Sequence, residues 1–106
     1  MIKGLILLAA LGSLAMTSIP SGRSHLVWQK DKQFPFPELE VAVGDTVVFS
    51  NEDEIIHNVF STTEGQRFNV RRQLPGSMTP VLFTRKGTVL IRCAFHSTMR
   101  LSVIVR

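Results

Sequence analysis

Within seven residues, Cys93-Ala94-Phe95-His96-Ser97-Thr98-Met99 sets a thiol, an imidazole and a thioether one after another. All three are soft or borderline donors, suited to a copper ion in either the Cu(I) or the Cu(II) state. Two histidines and a cysteine in a trigonal set, capped by a distant methionine, form the donor arrangement of copper sites that transfer electrons. The loop offers three of these four donors. The best candidate for the fourth is His57, 36 positions before the cysteine.

Each of these residues has a duller reading when taken alone. A single cysteine is most often a buried core thiol, and a methionine most often fills a gap in the core. His96 alone reads as an exposed loop residue and His57 as a half-buried one. The short spacing of three donor types, with a second histidine elsewhere, favours a metal. Zinc is the competitor, since it accepts two histidines and a cysteine, but it gains little from a thioether. An open fourth position on zinc would imply hydrolysis, and no general base accompanies the set. The methionine favours copper.

The chain that must position these side chains reads as strands. Leu39-Glu40-Val41-Ala42-Val43 alternates in character, Gly44-Asp45 interrupts, and Thr46-Val47-Val48-Phe49 resumes. Ile55 to Phe60 (IIHNVF) reads as a further strand carrying His57. Pro80–Thr84 and Thr88–Cys93 flank Arg85-Lys86-Gly87, a short turn with glycine where positive φ is often needed. Leu101-Ser102-Val103-Ile104-Val105 ends the pattern as another alternating strand. The cysteine loop therefore joins two strands, and a neighbouring strand is expected to present His57 to it. Phe34-Pro35-Phe36-Pro37 is expected to be irregular, because proline donates nothing to a ladder. No helical period of apolar residues appears after the N-terminal region. The expected class is all-β, a compact β-sandwich.

A chain of 106 residues has room for one such domain. Its start has another character. Lys3 precedes an uncharged apolar run, Gly4 to Met16, and the small and polar stretch Thr17 to Ser24 follows. That is the layout of a secretory leader, and the run is short for a membrane span. Cleavage after Ala15 and cleavage after Ser24 both satisfy the small-residue rule; the later site gives the more usual length. The expected division is a signal peptide over 1–24 and a folded domain over 25–106, with an uncleaved anchor as the alternative. No cysteine near the junction points to a lipid anchor.

Without Lys3 and Arg23, ten basic residues face eight acidic ones. This balance is too even for a nucleic-acid partner, which asks for a dense basic face. A domain of roughly 80 residues buries a modest core, and small exported domains often add a disulfide or a metal. With Cys93 as the one cysteine, no internal disulfide forms; a lone exported thiol is a liability unless buried or occupied, and a bound metal would occupy it.

The spacing C-x2-H-x2-M after Phe49-Ser50-Asn51 and His57-Asn58-Val59 resembles the cupredoxins, the group of plastocyanin, pseudoazurin and amicyanin. The ligand loop is similar in length to that of amicyanin. The stretch from His25 to Arg106 also resembles small exported plastocyanin-like proteins often labelled methylamine utilization proteins. The resemblance implies a Greek-key β-sandwich with one copper ion near one end, held by His57, Cys93, His96 and Met99. It also implies that Asn58 steadies the cysteine loop, as residues behind metal ligands do. Arg92, Phe95 and Ser97 depart from the group's pattern, which often has an aromatic residue before the cysteine and prolines within the loop.

The function so implied is a type 1 (blue) copper electron carrier, cycling between Cu(I) and Cu(II), and not an enzyme. Its expected setting is periplasmic or otherwise exported, as a monomer without stable membrane insertion. Expected partners are redox proteins such as a c-type cytochrome or a periplasmic dehydrogenase. His96 is the expected exit for the electron, with Phe95, Leu74, Pro75 and Phe60 as an apolar docking patch. Arg71, Arg72 and Arg100 would steer an acidic partner. Three rivals remain: copper delivery or storage, a metal-free binding module, and a copper enzyme using His25 as its N-terminal residue.

Overall fold

The computed structural model describes residues 22–106. Most of the expected leader lies outside the described residues. Eight strands follow in order: β1 (Ser24–Gln29), β2 (Glu38–Val41), β3 (Thr46–Asn51), β4 (Phe60–Ser61), β5 (Phe68–Asn69), β6 (Met78–Leu82), β7 (Gly87–Arg92) and β8 (Arg100–Val105). They form two sheets, β1-β3-β6 and β2-β8-β7-β4-β5. β1 runs parallel to β3 and β2 parallel to β8, while the remaining pairs are antiparallel. The result is an all-β Greek-key sandwich.

Period-2 alternation explains which residues the sandwich buries. Val27 on β1 and Val47 and Phe49 on β3 face inward from the small sheet. Val89 and Ile91 on β7 meet them from the large one, with Leu101, Val103 and Val105 on β8. Phe83 and Val59 complete the centre, and Phe34 sets its ring edge-on to Phe49 at 6.3 Å. Each such side chain contributes about 1.5–3 kcal/mol relative to exposure. Cys93 and Met99 sit at one end of this same core.

Local chemistry fixes the connections. Between β2 and β3 the Asp45 N–H donates to the Ala42 carbonyl at 3.0 Å. The turn is completed by Gly44 at φ +96°, a conformation open to glycine. The Asp45 carboxylate then gathers the start of the described chain, accepting from the Arg23 N–H at 2.9 Å, the Ala42 N–H at 2.9 Å and His25 Nε2 at 2.8 Å. The Ala42 N–H foremost, then His25 and the Arg23 N–H, lower its pKa to about 2.

Two expectations need adjustment. Arg85-Lys86-Gly87 does form a turn, but β6 and β7 lie in different sheets, so it is a crossover between layers. The expected strand over Ile55 to Phe60 is reduced to β4 and a single bridge between His57 and Gln73. Side chains claim the backbone there: Asn51 Nδ2 donates to the Ile55 carbonyl at 2.9 Å, and Ile55 itself turns outward. His57 therefore sits on a looped segment and not on a regular strand.

Candidate metal centre

Cys93 directly follows β7, and the seven-residue loop it opens returns to β8. Cys93 and Met99 are buried, and His57 is wholly buried. His96 is partly open to solvent. Cys93 Sγ lies 4.0 Å from His57 Nδ1 and 3.7 Å from His96 Nδ1. The two imidazoles stand edge-to-face with centroids 5.0 Å apart. All three donor atoms lie within 4.8 Å of one another. The Met99 N–H donates to the His96 carbonyl at 3.0 Å, which closes the loop just before β8. A metal ion bound at about 2.0–2.3 Å by nitrogen and sulfur needs donors gathered on this scale. The donor set fits a soft or borderline ion.

The ring of His57 is held from behind. Its Nε2 lies 2.7 Å from Asp53 Oδ2. A carboxylate only accepts, so Nε2–H donates and Nδ1 keeps its lone pair toward Cys93. Asp53 is fixed in turn by the reversal at residues 30–33. Lys30 and Gln33 exchange backbone hydrogen bonds of 3.1 and 3.0 Å. Between them Asp31 and Lys32 take φ of +54° and +57°, the pattern of a type I′ turn. Their two N–H groups donate to Asp53 at 2.7 and 2.9 Å. Burial pushes the Asp53 carboxyl upward, but His57 and these two N–H groups outweigh it and hold the pKa at about 2.

His96 is shifted downward by burial first, then by the nearby His57 and Lys32, against a smaller opposing pull from Asp53. The neutral ring that results has a nitrogen lone pair to offer. Asn58 occupies the position the resemblance implied: its Oδ1 accepts the Ala94 N–H at 3.0 Å. Its Nδ2 donates to Asn69 Oδ1 at 2.8 Å and to the Arg71 carbonyl at 3.0 Å. One side chain thus ties the cysteine loop to the segment after β5.

Around the open edge of His96 lies a shallow depression lined by Lys32, Ile55, Ile56, Arg72 and Phe95. Phe95 and Leu74 are more than half exposed, and Pro75 is exposed. Phe60 instead lines a separate depression with Arg67 and Phe68, so it drops out of the expected apolar patch. Arg100 shares a neighbouring hollow with Lys32 and Thr98. Sequence reasoning missed Asp53, Lys32, Ile55 and Ile56. The available signal was an acidic residue four before His57, but Glu52-Asp53-Glu54 offered three acids without distinguishing them.

No family model matches the chain. It is 35% identical over 66 residues to the methylamine utilization protein MauL of Methylorubrum extorquens, covering 61% of this chain and 58% of that protein. To MauL of Methylophilus methylotrophus it is 26% identical over 95 residues, covering 87% and 55%. The chain thus spans a little over half the length of each of these relatives. Among solved structures, the Cu(I) form of an amicyanin mutant superposes with a TM-score of 0.72 at 28% identity, covering 85% of this chain and 88% of that one. A purple cupredoxin from Nitrosopumilus maritimus superposes with a TM-score of 0.69 at 22% identity, covering 77% and 99%, a likeness of fold. The shared sandwich and these likenesses lead to one assignment: the chain has the cupredoxin fold, and it is similar in sequence to amicyanin and to MauL.

Proposed function

We propose that this domain holds one copper ion through His57, Cys93, His96 and Met99 and carries single electrons between exported redox partners. The observation that carries this reading is the meeting of two imidazole nitrogens and one cysteine sulfur within 4.8 Å of one another, with Met99 buried at the far end of the same loop. Copper at such a site supplies a change between Cu(I) and Cu(II). The protein's own part is to keep its donors still through that change. Asp53 holds the His57 ring, Asn58 holds the Ala94 N–H beside Cys93, and the sandwich buries both sulfurs from water. Donors anchored in this way favour a carrier over a delivery or storage protein, which must release its ion.

His96 is the route for the electron, because its ring edge reaches the depression formed with Phe95, Ile55 and Ile56. Brief redox encounters bury little area, and a small apolar patch suits them. Lys32 and Arg72 at the patch, with Arg100 nearby, would draw an acidic face. A c-type cytochrome or a periplasmic dehydrogenase fits as partner. The relatives' naming for methylamine utilization favours a dehydrogenase as donor, since oxidising an amine releases electrons that a carrier must accept. Export with removal of the N-terminal leader, through residue 24 in the boundary read from the sequence, would deliver the domain to that compartment.

The test is the absorption spectrum of the purified protein with Cu(II). An intense blue thiolate-to-copper band, absent in Cys93→Ser, is expected. A colourless protein that takes up zinc instead would overturn the reading. Slow loss of Cu(I) to a strong chelator, with reversible reduction, separates the carrier from a delivery protein.

A further inference from the structure

Behind the donor cluster lies a buried pair of amides. Gln29 on β1 is fully buried and Gln73 is 2% exposed. Gln29 Nε2 donates to Gln73 Oε1 at 2.6 Å and to the Ser50 carbonyl at 3.3 Å. Gln73 Nε2 donates to the Phe49 carbonyl on β3 at 2.8 Å and to Thr79 Oγ1 on β6 at 3.3 Å. The Gln73 side chain is therefore fastened to all three strands of the small sheet.

Its main chain is fastened to His57. The Gln73 N–H donates to the His57 carbonyl at 2.7 Å, and the His57 N–H donates to the Gln73 carbonyl at 3.0 Å. Asn51 Nδ2 donates to the same Gln73 carbonyl at 2.9 Å. This bridge is isolated, since β4 begins three residues later. Asp53 orients the His57 ring, but where the His57 backbone stands depends on Gln73.

Two buried glutamines are a costly way to fill a small core. Apolar side chains of similar size would need no partners. Here the pair does not even satisfy itself: Gln29 Oε1 has no hydrogen-bond partner, alone among the buried side-chain nitrogen and oxygen atoms of the described residues. What directional bonds give, and apolar contacts do not, is a single arrangement.

We propose that Gln73, locked by Gln29, is a positioning residue for His57, carrying the geometry of the β1-β3-β6 sheet to the donor cluster. It sets the separation of His57 Nδ1 from Cys93 Sγ. The inference rests on the cluster being a metal site, as read above.

The experiment compares Gln73→Met, Gln29→Met and the double variant with the unaltered protein. Gln73→Met keeps the main-chain bridge and leaves the Gln29 amide short of a partner, so its melting temperature falls. The double variant sets two apolar side chains together and recovers most of that loss. Three quantities are read: the melting temperature without metal, the exchange rate of the His57 amide without metal, and the thiolate-to-copper band with Cu(II). The proposal expects the double variant to melt near the unaltered protein, yet to exchange the His57 amide at least tenfold faster and show a displaced band. If recovered stability also restores the exchange rate and the band, the pair is packing alone and the proposal falls. If no protein shows a band while exchange still quickens, copper is the wrong ion and the positioning role stands. Should Gln73→Met not fold, Gln29→Met keeps the bridge and the bonds to β3 and β6, and decides by the same readings.

Discussion

The proposed donors are ordinary side chains, and the residues that hold them would decide how well they bind. Asp53 fixes the tautomer and direction of His57 through one 2.7 Å contact. Asp53→Asn keeps the size and removes the charge. We expect it to lower metal affinity by about 10- to 100-fold, measured by competition with a chromogenic chelator. Asp45 is the corresponding anchor away from the donors. Its carboxyl titrates near 2 in the fold, below its ordinary 3.8, so between those values the unfolded chain binds the extra proton. The stability it contributes is present above pH about 4 and is lost as pH falls toward 2. Denaturation of the metal-free protein across that window should show a shallower fall in Asp45→Asn; an unchanged slope would remove Asp45 from the account. Cys93 and His96 stood out because residue type and spacing alone announce donor chemistry, and the fold brings them together with His57. Asp53 did not, because its partners come from a turn 21 or 22 positions away that no local pattern announces.

Strands with one buried face read well from the sequence. The alternation in β2, β3 and β8 is a direct print of which side meets the core. Removing volume from that core should cost accordingly: Ile91→Ala, at a fully buried position, is expected to lower stability by about 2–5 kcal/mol in chemical denaturation. The His57 segment read poorly, since its apolar residues suggest a strand while its backbone forms one isolated bridge to Gln73 and gives the Ile55 carbonyl to the Asn51 side chain. The beginning of β1 is a second such place. Arg23 and Ser24 look like leader in composition, yet the Arg23 carbonyl accepts the Thr46 N–H at 2.8 Å and Ser24 pairs with Thr46. A chain starting at Gly22 should therefore melt at a higher temperature than one starting at His25. Equal melting temperatures would mean that these bonds are replaced by water without loss.

The two sheets differ in what they show to solvent, and so do the two imidazoles. Outward positions on the large sheet carry Glu38, Glu40, Thr88 and Arg92, whereas the small sheet exposes Leu26, Trp28, Met78 and Leu82. The basic side chains Lys32 and Arg72 meet at the His96 depression. Electron transfer with small anionic oxidants should therefore slow as salt is added, because exposed charges are screened beyond about 8–10 Å at ordinary ionic strength. Transfer with cationic reagents should quicken, and stopped-flow mixing over a salt series would show it. His57 is sealed in the interior and only His96 has an edge toward water. Under the carrier role proposed above, a single window would serve its clients in turn: whatever delivers the electron would have to leave before the recipient could dock. An excess of either client should then act as a competitive brake on the other.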